Sequence, residues 1–169
     1  MKLNNNVFSV CDDGSLVFNG YLTGLKCGVY AYLSAPADTT VTTSGTYDTI
    51  NGSFTNSPME NFSLVSSPII GIRYDGTLTQ HFEIDWYSTL TSSTNNCIVS
   101  CAIWKNGDLI SGSIMCQTIK LAGSLYTVSG TCVVELAQND VISLVVTSDH
   151  DEEVVTFNKY TTTIREFFD

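Results

Sequence analysis

The stretch QHFEIDW, residues 80–86, decides the fold class. Its His81, Glu83 and Asp85 alternate with Phe82, Ile84 and Trp86. A strand with that order turns one polar and one apolar face. The same period continues downstream. Cys97, Val99, Cys101 and Ile103 share a face and lead into Lys105-Asn106-Gly107-Asp108. An Asn-Gly pair tolerates positive φ at both central positions, which marks a two-residue hairpin. After Gly123, the apolar set Tyr126, Val128, Cys132, Val134 and Leu136 opposes Thr127, Ser129, Thr131 and Glu135. Gln138-Asn139-Asp140 then turns the chain into a strand carrying Ile142, Leu144 and Val146, and a last strand is predicted from Val154 to Phe168.

Composition agrees. No long stretch carries a 3.6-residue apolar period, while Thr, Ser, Val, Tyr and Phe abound. Only 14% of the 169 residues are charged and 43% are hydrophobic, so Ser, Thr and Asn must cover much of the surface. The predicted architecture is all-β: a two-sheet antiparallel jelly-roll sandwich with a short N-terminal β stem. The net charge of −10, from seven basic and seventeen acidic residues, argues against nucleic acid, whose phosphates need clustered Lys and Arg. No stretch approaches a membrane span, and Met1-Lys2-Leu3 runs into Asn4-Asn5-Asn6 without the apolar core of a secretion signal. No membrane insertion is expected. The six cysteines form no CxxC pair, and reduced thiols in a protein made in a cytoplasm are expected.

The organisation changes near the N-terminus. Phe8-Ser9-Val10, Asp12-Asp13-Gly14, Leu16-Val17-Phe18, Asn19-Gly20 and Tyr21-Leu22 read as very short strands between turns, too brief to close a core alone. The boundary is drawn at Ser34-Ala35-Pro36-Ala37-Asp38, a hinge of small residues around a proline. Residues 1–35 are then a stem or anchor, with Phe8, Val10, Leu16 and Phe18 as candidate anchor residues. Residues 36–169 are the head.

Chemistry was sought in the polar patches. Glu83 and Asp85 share a strand face at roughly 6.5–7 Å, the spacing of paired glycosidase carboxylates, yet any polar strand face produces it. His81 and His150 cannot supply a three-histidine zinc site. His150 lies among Asp149, Asp151, Glu152 and Glu153, but that segment lacks the glycine of a calcium loop and reads as a solvated hairpin tip. No nucleophile elbow or glycine-rich phosphate loop is present. No enzymatic activity, cofactor or metal is expected.

The aromatics are more informative. Val154 to Phe168 carries apolar residues on both faces: Val155, Phe157 and Phe167 against Val154, Tyr160, Ile164 and Phe168. A strand buried on both sides needs cover on both sides. Trp86, Tyr87, Tyr126, Phe157, Tyr160, Phe167 and Phe168 are therefore the candidate subunit interface.

A family resemblance appears in particular residues. Gly71-Ile72-Arg73-Tyr74-Asp75-Gly76, Phe82-Glu83-Ile84, Cys101-Ala102-Ile103-Trp104-Lys105-Asn106-Gly107 and Gly130-Thr131-Cys132-Val133-Val134-Glu135-Leu136 carry it. They are joined by Asn139-Asp140-Val141-Ile142-Ser143-Leu144 and Thr163-Ile164-Arg165-Glu166-Phe167-Phe168. The region from Gly45 to Phe168 resembles the trimeric jelly rolls of the tumour necrosis factor and complement globular-head type, in the versions found in phage and other viral structural proteins. The N-terminal triplets resemble the shaft repeats of phage fibres. The resemblance implies a homotrimeric virion protein, a head fibre, decoration protein or spike, made in the host cytoplasm and displayed on the virion surface. Its stem would join other virion proteins, and its head would project, with a host-surface glycan or protein as a further candidate partner. The alternatives are a lectin-like receptor- or glycan-binding module, or a bacterial surface or spore-coat trimer.

Overall fold

The computed structural model describes residues 28–56, 61–66 and 70–167, and the strand backbone of residues 2–3, 6–10 and 16–19. The stem strands are β1 (Lys2–Leu3), β2 (Asn6–Val10) and β3 (Leu16–Asn19), which form their own antiparallel sheet in the order β1-β2-β3. The remaining strands are β4 (Gly28–Leu33), β5 (Ala37–Val41), β6 (Asp48–Thr49), β7 (Phe54–Asn56), β8 (Phe62–Val65), β9 (Gly71–Tyr74), β10 (Gln80–Ser92), β11 (Cys97–Lys105), β12 (Asp108–Leu109), β13 (Met115–Ile119), β14 (Tyr126–Leu136), β15 (Val141–Ser148) and β16 (Glu153–Glu166). Among the described residues, the helical content is one 3₁₀ turn, Ser111–Ser113.

Two antiparallel sheets make the sandwich. One runs β14-β10-β16-β4-β7, with β5 also paired to β16. The other runs β12-β11-β15-β9-β8, with β13 on β11 and β6 on β15. Their inner faces interdigitate through Phe82, Ile84, Trp86 and Leu90 from β10 and Cys97, Val99, Cys101 and Ile103 from β11, all buried. The alternation read in residues 80–86 therefore sorts core from surface as expected. Trp86 stands opposite Gly130. A Cβ at Gly130 would come within 2.8 Å of the Trp86 ring and 2.9 Å of Met115, so the indole occupies space that only glycine leaves open. Cys97, Cys101, Cys116 and Cys132 are unbridged. Burial pushes the Cys101 thiol up to about 12 and the Cys132 thiol to about 11, so both behave as small hydrophobes.

The Asn106-Gly107 hairpin forms as expected, with φ of 55° and 91°. It interlocks with the Gln138-Asn139-Asp140 turn. Lys105 Nζ lies 2.9 Å from Asp140 Oδ2, Asn106 Nδ2 donates to Asp140 Oδ1 at 2.6 Å, and Val141 N donates to Asn106 Oδ1 at 2.8 Å. The two turns thus close one end of the sandwich together.

Two expectations change. Residues 28–35 were placed in the stem, but Gly28–Leu33 pairs with β16 from Gly28 opposite Arg165 to Tyr32 opposite Thr161. Its Val29, Ala31 and Leu33 are buried, so this strand belongs to the sandwich. Within the hinge at Ser34–Asp38, residues 34–36 connect two strands that both pair with β16, Ala37 and Asp38 already belong to the second of them, and Ser34 N donates to Ser53 O at 3.0 Å.

The second change concerns β16. The register against β10 shifts between Thr89 and Leu90, with Thr89 opposite Lys159 and Leu90 opposite Phe157. Asn158 is the extra residue of a β-bulge, and a bulge reverses which face the following residues occupy. Val155 and Phe157 before it, and Tyr160, Thr162 and Ile164 after it, all face the same core and are buried. Of the two apolar faces counted from the sequence, Val155, Phe157, Tyr160 and Ile164 form a single one, while Val154, beside the inward Val155, and the exposed Phe167 stay off it.

Candidate interaction face

The outer face of the β14-β10-β16-β4 sheet follows directly from strand register. Tyr87 pairs with Ser129 on one side and Thr161 on the other, and Thr161 pairs with Tyr32. In the next row, Asp85 pairs with Thr131 and Thr163, and Thr163 with Tyr30. Directly opposed residues point to the same side of a sheet, so Tyr87, Tyr32 and Tyr30 share a face. Their exposures of 37%, 37% and 42% are high for tyrosines on the flat middle of a sheet. The Tyr30 and Tyr32 rings lie 5.8 Å apart at 39°. Small Thr and Ser side chains fill the spaces between the rings.

One ionic cluster borders this patch. Arg165 Nε bonds Glu83 Oε2 at 2.8 Å, and its Nη2 reaches Asp85 Oδ2 at 2.9 Å. The guanidinium therefore sits between the two carboxylates that the sequence offered as an acid/base pair. They are partners of a shared cation.

The seven aromatics proposed for an interface separate. Trp86, Phe157 and Tyr160 are buried in the chain's own core and cannot meet a neighbour, because packing and the Asn158 bulge turn them inward. Tyr87 and Phe167 are exposed, and Phe167 N donates to His81 O at 2.9 Å. Tyr126 is half-buried, and its hydroxyl accepts from Lys120 N and Leu121 N at 3.0 and 3.1 Å. Phe168 lies outside the described residues, as do the side chains of Phe8, Val10, Leu16 and Phe18. Backbone register places Phe8 opposite Phe18 and Val10 opposite Leu16. Sequence reasoning missed Tyr30 and Tyr32, although their alternation with Val29, Ala31 and Leu33 was a readable strand signal.

It also missed Glu153. This residue was grouped with the solvated tip, and Asp149, His150, Asp151 and Glu152 are indeed exposed, but Glu153 is buried. Its Oε1 accepts from Ser92 Oγ at 2.5 Å, Ser93 N at 2.8 Å, Ser93 Oγ at 3.0 Å and Thr94 N at 3.1 Å. Burial opposes ionisation, yet these donors outweigh it and hold the carboxyl below its ordinary value. Among the described residues, no group of three or more His, Cys, Asp or Glu is arranged to hold a metal, and no helix is long and apolar enough to cross a membrane.

No family model matches the sequence, and no curated protein matches it. Solved structures do. The Eiger TNF of S. frugiperda superimposes with a TM-score of 0.60 at 8% identity, over 86% of this chain and 94% of that one. Murine APRIL gives 0.48 at 7% identity over 82% and 98%. The PRD1 vertex protein P5 gives 0.44 at 11% identity over 85% and 99%. At such identities the Eiger superposition speaks to fold alone, and with the strand order above it is decisive on that point. The chain has a two-sheet jelly-roll fold similar to that of the Eiger TNF.

Proposed function

We propose that this chain is a homotrimeric virion structural protein, a head fibre, decoration protein or spike, in which the Tyr30–Tyr32–Tyr87 face packs against a neighbouring copy. The observation that carries the reading is that tyrosine face. Three large aromatics stand exposed on the middle of a sheet whose core is already complete without them. Such side chains add much apolar area at small entropic cost when a partner covers them.

Threefold closure joins two different patches of each subunit. A suitable second patch is the edge strand β14. It ends the sheet path, runs eleven residues without proline or lysine, and exposes Val133 by 48%. Lys105 Nζ donates to the Glu135 carbonyl of this strand at 2.7 Å, and the rest of so long an edge is of the kind that is usually blunted or covered. The virion part of the reading rests on the resemblance of Phe8–Leu22 to phage shaft repeats and on the charge-poor, Ser/Thr-rich surface. In this reading, residues before Gly28 join the particle, and the head stands on its surface.

The head is read as non-enzymatic, since Arg165 pairs with both Glu83 and Asp85. Native mass of the purified chain and its copy number on particles test the proposal together. A trimer present on particles at a fixed stoichiometry supports it. A monomer, or a protein made during infection but absent from particles, overturns it.

A further inference from the structure

The strand register orients the head. Gly28 lies level with Arg165 and Glu83, at the end where β10 begins. β10 finishes at Ser92, opposite Val155, at the other end. Residues preceding Gly28 therefore attach at one end of the sandwich, and the loops 42–47, 93–96, 120–125 and 149–152 gather at the other.

These distal loops are laced together. Gly45 N donates to Ser148 O at 2.9 Å, and Ser44 N donates to Asp151 Oδ1 at 2.6 Å. Ser93 N bonds Val154 O at 3.0 Å, and Glu153 gathers residues 92–94 from beneath. The 120–125 loop is held through Ala122 N to Asn95 Oδ1 at 2.7 Å, Gly123 N to Ser92 O at 2.9 Å, and the two amides on Tyr126 Oη. A loop fixed at Lys120, Leu121, Ala122 and Gly123 has little freedom to tuck its side chains away. It nevertheless presents Leu121 and Leu125 at 60% and 62% exposure.

The charge at this end is one-sided. Asp149, Asp151 and Glu152 are exposed and Asp48 is partly so, against Lys120 and the imidazole of His150. Such a surface repels anionic lipid and nucleic acid and favours a cationic partner. A rigid loop that offers two leucines spends little entropy on being bound.

We infer that the distal end is a preformed docking tip for a protein partner offering apolar sockets rimmed by Lys and Arg. The inference uses the orientation of the proposed head, with its stem at the opposite end. It does not depend on the number of subunits.

The test uses the full chain and an array of synthetic peptides that alternate Leu or Phe with Lys or Arg, with Glu-substituted and Ser-substituted counterparts. The cationic apolar peptides are expected to bind, and binding should weaken with salt. Leu121→Ser with Leu125→Ser should lower affinity by about tenfold or more, with native mass and melting temperature unchanged. Glu152→Asn, which suits the φ of 53° at that position, should weaken binding and flatten its salt dependence. Absence of binding, equal binding of the Glu peptides, or unchanged affinity in the leucine variant overturns the inference. So does loss of native mass in that variant, which would place the leucines between subunits. A monomeric wild-type chain that still binds through the leucines supports the tip and overturns the homotrimer.

Discussion

Phe157 and Tyr160 lie three residues apart on one strand and are buried in the same core, because Asn158 between them has no opposing residue on β10. A regular strand would send them to opposite faces. The bulge brings both aromatics inward and leaves Asn158 and Lys159 exposed. Phe157→Ala should therefore cost about 3–5 kcal/mol, as for other buried aromatics, read as a lower urea midpoint. Deleting Asn158 should be milder, since Phe157, Lys159 and Tyr160 would then alternate regularly against Leu90, Thr89 and Ser88 and keep their faces. If Phe157→Ala keeps the wild-type midpoint and alters only assembly, the core assignment is wrong.

That bulge also marks where the sequence stopped being legible. The alternation in Phe82, Ile84 and Trp86 and the Asn106-Gly107 turn are local signals, and the structure follows them. Bulges depend on the partner strand, and nothing around Asn158 announces one. Counting with an unbroken period produced a second apolar face and assigned the buried Phe157 and Tyr160 to an interface. Tyr30 and Tyr32 were overlooked for a different reason. Pro36 drew the boundary, although the pairing of Gly28–Leu33 with the far end of the chain extends the sandwich past it. Glu153 reads as surface in the sequence because its charged neighbours are surface. Only the fold brings Ser92, Ser93 and Thr94 to it.

The place of β4 yields a truncation test. A chain beginning at Gly28 should unfold cooperatively with a melting temperature close to that of the full chain. One beginning at Ala37 loses a strand that buries Val29, Ala31 and Leu33 and uncovers the edge of β16. It should be insoluble or melt many degrees lower. Equal stability of the two would return residues 28–36 to the stem.

Glu153 yields a pH test. Its folded-state carboxyl is held below the ordinary value of 4.5. The stability it contributes is therefore fully present above the unfolded value and is lost as pH falls through the folded one. Glu153→Gln removes a charged acceptor of several hydrogen bonds and should cost about 1–3 kcal/mol at pH 7. The gap from wild type should narrow as pH drops below about 4.5. Urea midpoints at pH 7 and pH 3 measure this, and a gap that does not change with pH would exclude the ionised carboxylate as its source.

The tyrosine face makes a prediction that separates assembly from folding. Tyr32 and Tyr87 are exposed in the single chain, so Tyr32→Asp with Tyr87→Asp should leave the far-ultraviolet spectrum unchanged. Between subunits, the same change would bury unpaired charge at a cost of several kcal/mol.

Native mass of the wild-type chain and of this double variant, at micromolar concentration, therefore tests the central claim most directly. A trimer is expected for the wild type and a folded monomer for the variant. A wild-type monomer, or a variant that remains trimeric, would contradict it.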